Sequence, residues 1–495
     1  MSIGKILEVE IGNQHGKIKG AIPNDILDEI VYQCSYQVEG AQHSTLYKRG
    51  MWDGRRKLFD RKRKRFPMGL WPRISRILDE HNIKYQVNDK RNLEIKSPID
   101  VRLQDHVKLR HYQNEAIDVA IRKVRSILQV ATGGGKTVIA SGLIDRLKCN
   151  TLFLVHTRDL LYQTKRSFEE FLEGDDATTI GQIGDGIIDI QPITIATTQT
   201  MSKILGVKFE KDKFDDADFG EKETKIDNKS KNEVIKYIKS VDLLIWDEVH
   251  RVACDMAYNV SEALDGPIYR VGLSASPWRD DGADIMIEAS MGEVSMKVSA
   301  TYLIKNKYLV PPVIKMHRIP SSIPWYEDTR TYDQIYRQEV VDNHERNLQI
   351  AKYVKEFIGM GIPTLVLVQQ IRHGRILKEL ITDTFHPIEF LSGRDLTSVR
   401  NRTIKEMQED RMGLIATTIA DEGLDIKRLA GLILAGGGKS STRALQRIGR
   451  VLRPFEGKTH ALVIDFYDEA KYLRDHAEKR MEIYRTEPGF YILEL

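Results

Sequence analysis

The segment Val130-Ala131-Thr132-Gly133-Gly134-Gly135-Lys136-Thr137 constrains this chain more than any other. It follows the apolar run ILQVA at 127–131 and leads into the amphipathic stretch VIASGLIDRL, so it reads as a strand end, a glycine turn and the start of a helix. The first amides of a helix have no partner within it, and a glycine turn lets them close around phosphate oxygens. Thr132, Gly133, Gly134 and Gly135 would line those phosphates, Lys136 would meet the β- and γ-phosphates, and the Thr137 hydroxyl would ligate magnesium. The strict spacing places Gly at 130, where this chain has Val.

The second half of such a site should be an apolar strand ending in acid. Leu243-Leu244-Ile245-Trp246-Asp247-Glu248-Val249-His250 supplies it. Asp247 is expected to hold the magnesium through its hydration shell and Glu248 to polarise the water that attacks the γ-phosphate.

Around these two segments run short continuous apolar stretches at 150–156, 193–198 and 241–247, and a second set at 364–369, 386–392, 413–418, 429–437 and 460–466. Separated by amphipathic patterns, they predict parallel sheets covered on both faces. The fold class expected is therefore α/β, with two parallel-sheet domains in series behind a small basic N-terminal α/β module. The boundaries are 1–98, 99–297 and 298–495, and 495 residues suit about three domains. Hydrophobic residues at 41% and charged residues at 29% exclude bulk disorder and fibrous repeats, while no apolar run is long enough for a membrane span and the N-terminus lacks a secretory core. Cys34, Cys149 and Cys254 form no C-x-x-C pair, so a reducing, cytoplasmic setting without structural zinc is expected. The charged stretch 207–240 reads as an exposed, mobile insertion.

Charge is unevenly placed, although 75 basic and 71 acidic residues nearly cancel. Between Ala41 and Arg76 lie 12 Lys or Arg against Asp53 and Asp60 alone, including Arg61, Lys62, Arg63, Lys64 and Arg65, with Tyr47, Trp52, Phe59, Phe66 and Trp71 interleaved. Basic residues alternating with aromatic ones point to nucleic acid, with Trp52 and the 61–65 run as the contact residues. Gly436-Gly437-Gly438-Lys439-Ser440 imitates a phosphate loop but leads into a basic segment, and reads as an ordinary turn. Arg447, Arg450 and Arg453 follow at i, i+3 and i+6, on one helical face, where an arginine can neutralise charge developing on a γ-phosphate.

Taken in order, these segments resemble the motifs of superfamily 2 DNA helicases and translocases over residues 105–470. Leu109-Arg110-His111-Tyr112-Gln113 resembles the adenine-recognising segment, with Arg110 and Gln113 at the base. Val155-His156-Thr157-Arg158-Asp159-Leu160 and Ala196-Thr197-Thr198-Gln199 resemble motifs Ia and Ib, and Ser274-Ala275-Ser276-Pro277 with Trp278-Arg279-Asp280 resembles motif III of the XPB and RecG-related branch. Leu391-Ser392-Gly393-Arg394 resembles a backbone-binding motif, Ala416 to Ile426 is similar to motif V, and Gln446 to Arg453 to motif VI.

The resemblance implies two RecA-like domains, ATP and magnesium as cofactors, Gln446 facing the γ-phosphate, Arg450 and Arg453 as arginine fingers, and Glu422, Gly423 and Asp425 linking nucleotide to nucleic acid. Thr157, Arg158, Thr198, Arg394 and Thr417 would grip phosphates of the track. Val249 stands where Ala or Cys is usual, and Ser274-Ala275-Ser276 replaces the common Thr-Ala-Thr or Ser-Ala-Thr. Tyr47 to Arg55 and Phe66 to Leu70 resemble the accessory domain of the phage UvsW helicases. That family implies remodelling of forked or branched DNA in recombination, repair or replication, in a host cytoplasm. An RNA track, or an ATP-switched clamp without productive hydrolysis, is the alternative.

Overall fold

In the computed structural model the described residues are 6–207, 226–277, 282–382, 388–395, 397–417, 426–438 and 441–493. They form two compact units, Met1–Val130 with Gly135–Lys297, and Val298–Leu495 with the short turn Ala131–Gly134.

The first unit holds an eight-stranded sheet in the order 187–189, 181–184, 193–197, 151–155, 243–247, 269–274, 125–130, 294–298. The five pairings from 181–184 across to 125–130 are parallel. Thr151–Val155 and Ile193–Thr197 are buried at every position, which is why they read as unbroken apolar runs rather than alternations. The order places 243–247 and 269–274 between 151–155 and 125–130, so strands distant in sequence end side by side. In open parallel sheets ligands bind beyond such carboxyl ends.

The basic N-terminal module packs in the same unit. Its four-stranded sheet runs 65–67, 15–19, 7–11, 85–89, with helices Asn24–Gln33 and Trp71–Glu80 against it. Leu7, Val9, Ile11, Phe66, Ile74 and Leu78 form its core, with Phe59 stacked on Phe66.

The second unit has a seven-stranded sheet in the order 388–391, 413–416, 364–367, 431–433, 461–468, 312–319, 491–493, parallel throughout.

One expectation is corrected. The stretch 207–240 is not an exposed insertion over its last third: Asn228–Ser240 is a helix capped by Asp227, with Val234, Tyr237 and Ile238 buried and the Tyr237 hydroxyl donating to Thr151 O at 2.7 Å. Its charges lie on the outer face of an amphipathic helix.

Candidate nucleotide site and nucleic-acid interface

The strand Arg125–Val130 delivers the glycine turn to the carboxyl edge of the first sheet. Gly133 and Gly135 take φ of 82° and 77°, values that favour glycine, and Gly135 caps the helix Lys136–Leu147. A Cβ on Gly135 would stand 2.7 Å from Gln113 Nε2. Gln113 is buried against the loop, and its Oε1 accepts from Arg110 N at 2.9 Å, which fixes the side chain at the mouth of the turn.

Two strands away, Leu243–Asp247 ends in the acidic pair. Glu248 sits at φ 48°, ψ 53°, a left-handed conformation costing a non-glycine residue about 1 kcal/mol or more. The Lys136 ammonium donates to Glu248 Oε1 at 2.7 Å. Glu248 Oε2 lies 3.3 Å from His250 Nδ1 and 3.4 Å from Ser274 Oγ, and Ser274 Oγ is 3.2 Å from His250 Nδ1. Three segments thus converge on the carboxylate that follows the acidic strand: the phosphate helix, the turn after the strand, and the end of Tyr269–Ser274.

The two acids are poised differently. Burial raises the Asp247 carboxyl to about 6, and the positive charge of Lys136 only partly offsets it. Burial acts on Glu248 as well, but there the Lys136 charge and the His250 hydrogen bond prevail and hold it well below the ordinary carboxylate range. His250 is pushed down, chiefly by burial, so it remains neutral at pH 7. Asp247 is therefore a largely buried carboxylate short of positive charge, and Thr137 carries a hydroxyl in the first turn of the phosphate helix. Among the described residues no cluster of three acidic, His or Cys side chains could hold a metal alone. One carboxylate and one hydroxyl suit magnesium, which takes its other oxygens from water and phosphates.

The expected track-binding residues divide. Thr157 caps the helix Arg158–Phe171, accepting from Leu160 N at 3.3 Å. Arg158 lies 3.8 Å from Asp159 and 3.9 Å from Asp185. Thr198 is buried, and its hydroxyl donates to Val155 O at 3.1 Å. Arg394 is exposed and Thr417 buried, its N–H bonded to Leu391 O. Gln446 and Arg450 are half-buried on the helix Ser441–Val451, with Arg453 just beyond it. Glu422, Gly423 and Asp425, like Trp278, Arg279 and Asp280, lie outside the described residues.

The basic run is a tight hairpin turn closed by the Asp60–Arg65 bridge, with Asp60 Oδ1 accepting from the N–H groups of Lys62 and Arg63. Three of its side chains already have partners: Arg61 pairs with Asp28, Lys64 donates to Gly20 O, and Arg65 meets His15 Nδ1 at 2.9 Å. The Trp52 indole donates to Arg55 O at 2.9 Å, pinning the ring to its own turn. What the structure adds is Lys17, Lys19 and Lys90, which line an open groove of about 900 Å³ together with residues 62–65. The signal was present in HGKIK, where Lys17 and Lys19 are exposed and Gly16 and Ile18 are buried.

Three family models match the chain: "DNA helicase UvsW, N-terminal" over 13–88, "Type III restriction enzyme, res subunit" over 106–279, and "Helicase conserved C-terminal domain" over 349–454. The ATP-dependent DNA helicase uvsW of Enterobacteria phage T4 is 25% identical over 508 residues, covering 93% of each chain. The DNA 3'-5' translocase XPB2 of Sulfurisphaera tokodaii is 26% identical, over 71% of this chain and 80% of that one. Among solved structures, a fragment of a putative HsdR subunit from Vibrio vulnificus superposes with TM-score 0.54 at 20% identity, over 78% of this chain and 68% of that one. S. cerevisiae Dbp5 bound to RNA and ADP BeF3 gives 0.51 at 14%, over 79% and 95%. Both share the fold. The chain belongs to superfamily 2 and is an ATP-hydrolysing helicase with a UvsW-type N-terminal domain.

Proposed function

We propose that this helicase tracks along DNA and remodels forked or branched DNA, in the domain division 1–98, 99–297 and 298–495. The observation that carries the reading is the lysine-lined groove of the N-terminal module, in a segment matching the UvsW N-terminal model. A groove of Lys17, Lys62, Arg63 and Lys90, with Lys19 paired to Glu10 at 2.6 Å on its wall, suits a phosphate backbone without reading sequence. Arg158, Arg394 and Thr417 then grip the strand, and Thr157 can still donate its hydroxyl proton.

In the nucleotide site the turn amides and Lys136 hold the phosphates, Thr137 and Asp247 hold magnesium, and Gln113 with Arg110 meets the base. Magnesium held there would supply positive charge to the phosphates. Glu248, kept ionised by Lys136, accepts the proton of the attacking water. When ATP draws Lys136 onto its phosphates, Glu248 loses its strongest cationic partner and becomes a better base. Gln446, Arg450 and Arg453 act on the transferred phosphoryl group, and Glu422, Gly423 and Asp425 link turnover to the strand.

ATPase and strand-displacement rates measured in parallel on single-stranded, duplex, forked and four-way DNA, with RNA alongside, test this. Highest activity on forked or four-way DNA is expected. Equal activity on plain single strands would reduce the reading to a translocase, and stimulation by RNA alone would replace the track.

A further inference from the structure

We propose that Tyr336, Arg346, Gln369 and Arg480 are positioning residues for ATP hydrolysis, acting by clasping the turn Ala435–Gly438 ahead of the helix Ser441–Val451. The proposal rests on the reading that Gln446, Arg450 and Arg453 work on the γ-phosphate.

Four consecutive carbonyls of this turn each accept from a different side chain. Arg346 Nη1 donates to Ala435 O at 2.7 Å, Tyr336 Oη to Gly436 O at 2.9 Å, Gln369 Nε2 to Gly437 O at 3.3 Å, and Arg480 Nη1 to Gly438 O at 2.9 Å. A phosphate loop converges N–H groups on its ligand, whereas this turn offers its carbonyls to side-chain donors, so the three glycines do a different job here. Gly437 and Gly438 need their φ of 57° and 130°, and a Cβ on Gly436 would stand 2.8 Å from Gln369 N.

The two guanidiniums are themselves aimed. On the helix His344–Gly359, Arg346 is fully buried and bidentate on Asp468 at 2.8 and 3.2 Å, 4.4 Å above the Phe466 ring. On the helix Leu473–Arg485, Arg480 is bidentate on Asp465 at 2.8 and 3.0 Å, and the Tyr484 hydroxyl holds the same carboxylate at 2.8 Å. Asp465 and Asp468 are three residues apart on the strand Ala461–Asp468, so they point to opposite faces. One arginine therefore reaches the turn from each face of the sheet. Apolar side chains could serve a core at least as well as these buried ion pairs. What apolar residues could not supply is the spare Nη1 that each pair directs at the turn.

The helix beyond buries Ala444, Ile448 and Val451, which sets its rotation. The clasp sets where the chain enters it. Together they define how Gln446, Arg450 and Arg453 project, and a catalytic group displaced by about 1 Å can lose on the order of 100-fold in rate.

Tyr336→Phe and Gln369→Ala, singly and together, remove two of the four donors and leave both guanidinium–carboxylate pairs intact. For the double variant we expect kcat of nucleic-acid-stimulated ATP hydrolysis to fall about 10-fold with the KM for ATP within about twofold, since an arginine finger acts in the transition state. The thermal midpoint should stay within a few degrees. Gln369→Glu, equal in size but unable to donate, should match Gln369→Ala. In an Arg450→Ala background the clasp substitutions should have a clearly smaller further effect, the remainder acting through Gln446 and Arg453. If Arg450→Ala alone leaves kcat intact, the arginine reading itself fails. If Arg450→Ala lowers kcat but the clasp variants keep theirs within twofold, or multiply fully with it, the clasp proposal is overturned.

Discussion

Glu248→Gln should move binding and turnover in opposite directions. The carboxylate is the partner of Lys136 at 2.7 Å in the free site, with both side chains more than four-fifths buried, and in the proposed mechanism it is also the base. Coulomb attraction at that distance is several kcal/mol at an effective dielectric near 20, but the net difference between a charged and a neutral acceptor is smaller. Hydrogen bonds to charged groups contribute about 1.5–3 kcal/mol against about 1 for neutral ones, leaving about 1 kcal/mol that ATP must overcome to take Lys136. The glutamine variant releases that hold, so the Kd for ATP should tighten about fivefold. It cannot accept a proton, so kcat should fall by about 10² to 10⁴. A fluorescent ATP analogue in equilibrium titration reads the first quantity, and phosphate release under saturating DNA reads the second. Turnover within tenfold of the parent would refute Glu248 as base, and weakened ATP binding would refute the competition for Lys136.

In the proposed role Asp247 must be ionised to meet magnesium, and burial raises its carboxyl to about 6, so kcat/KM should fall about tenfold per pH unit below 6. The kcat profile should stay flat to lower pH, since bound cation favours the ionised form; coincident limbs would count against this. Charge removal at Lys62, Arg63 and Lys90 together should lower the slope of log Kobs against log salt by about 2 to 3, and an unchanged slope would make the groove an ordinary solvated face. A Cβ at Gly69 would fall on the carbonyls of Glu288 and Ala289, so Gly69→Val should cost about 2–4 kcal/mol or open the module to limited proteolysis, and parent-like resistance would contradict that packing. A Cβ at Gly272 would stand 2.8 Å from Val249 Cγ2, so Gly272→Ala should destabilise by about 1–3 kcal/mol and Val249→Ala should relieve most of it; strictly additive denaturation midpoints would show no coupling.

The nucleotide half of the site was legible because its chemistry is compressed into two short segments, and the strands that carry them are buried on both faces and so appear as unbroken apolar runs. Strands with other burial patterns were not. Pro312–Ile319 opens on proline and alternates buried with accessible residues, so PVIKMHRI lacks the continuous signature although it is one of the two longest strands of its sheet. Tyr269–Ser274 hides behind Arg270, a fully buried guanidinium donating to Ser261 O at 3.0 Å and to Leu264 O. His250 and Ser274 were visible as motif members, but their convergence on Glu248 is a product of strand order, which no local pattern encodes. The Val249 departure acquires a reason from the same source: its side chain fills the space over Gly272, the residue paired across the sheet with Trp246.

The attachment of the basic module to the first sheet was equally silent in sequence, because ordinary polar residues make it. Asn13 and Gln14 reach the carbonyls of Pro267 and Leu264 at 2.9 and 2.7 Å, and Arg125, on the strand that ends in the phosphate turn, donates to Ser290 O at 2.7 Å and to Asn13 O. Arg73 pairs with Glu288 at 2.5 Å and Arg56 with Asp255. Side-chain donors on backbone carbonyls fix orientation more tightly than exposed ion pairs do, since the acceptors belong to secondary structure that cannot swing. The lysine-lined groove is thus held at a set angle to the sheet whose carboxyl edge carries Lys136 and Glu248. On the proposed reading, a phosphate backbone seated in that groove would therefore be held at the same set angle to the edge that carries Lys136 and Glu248.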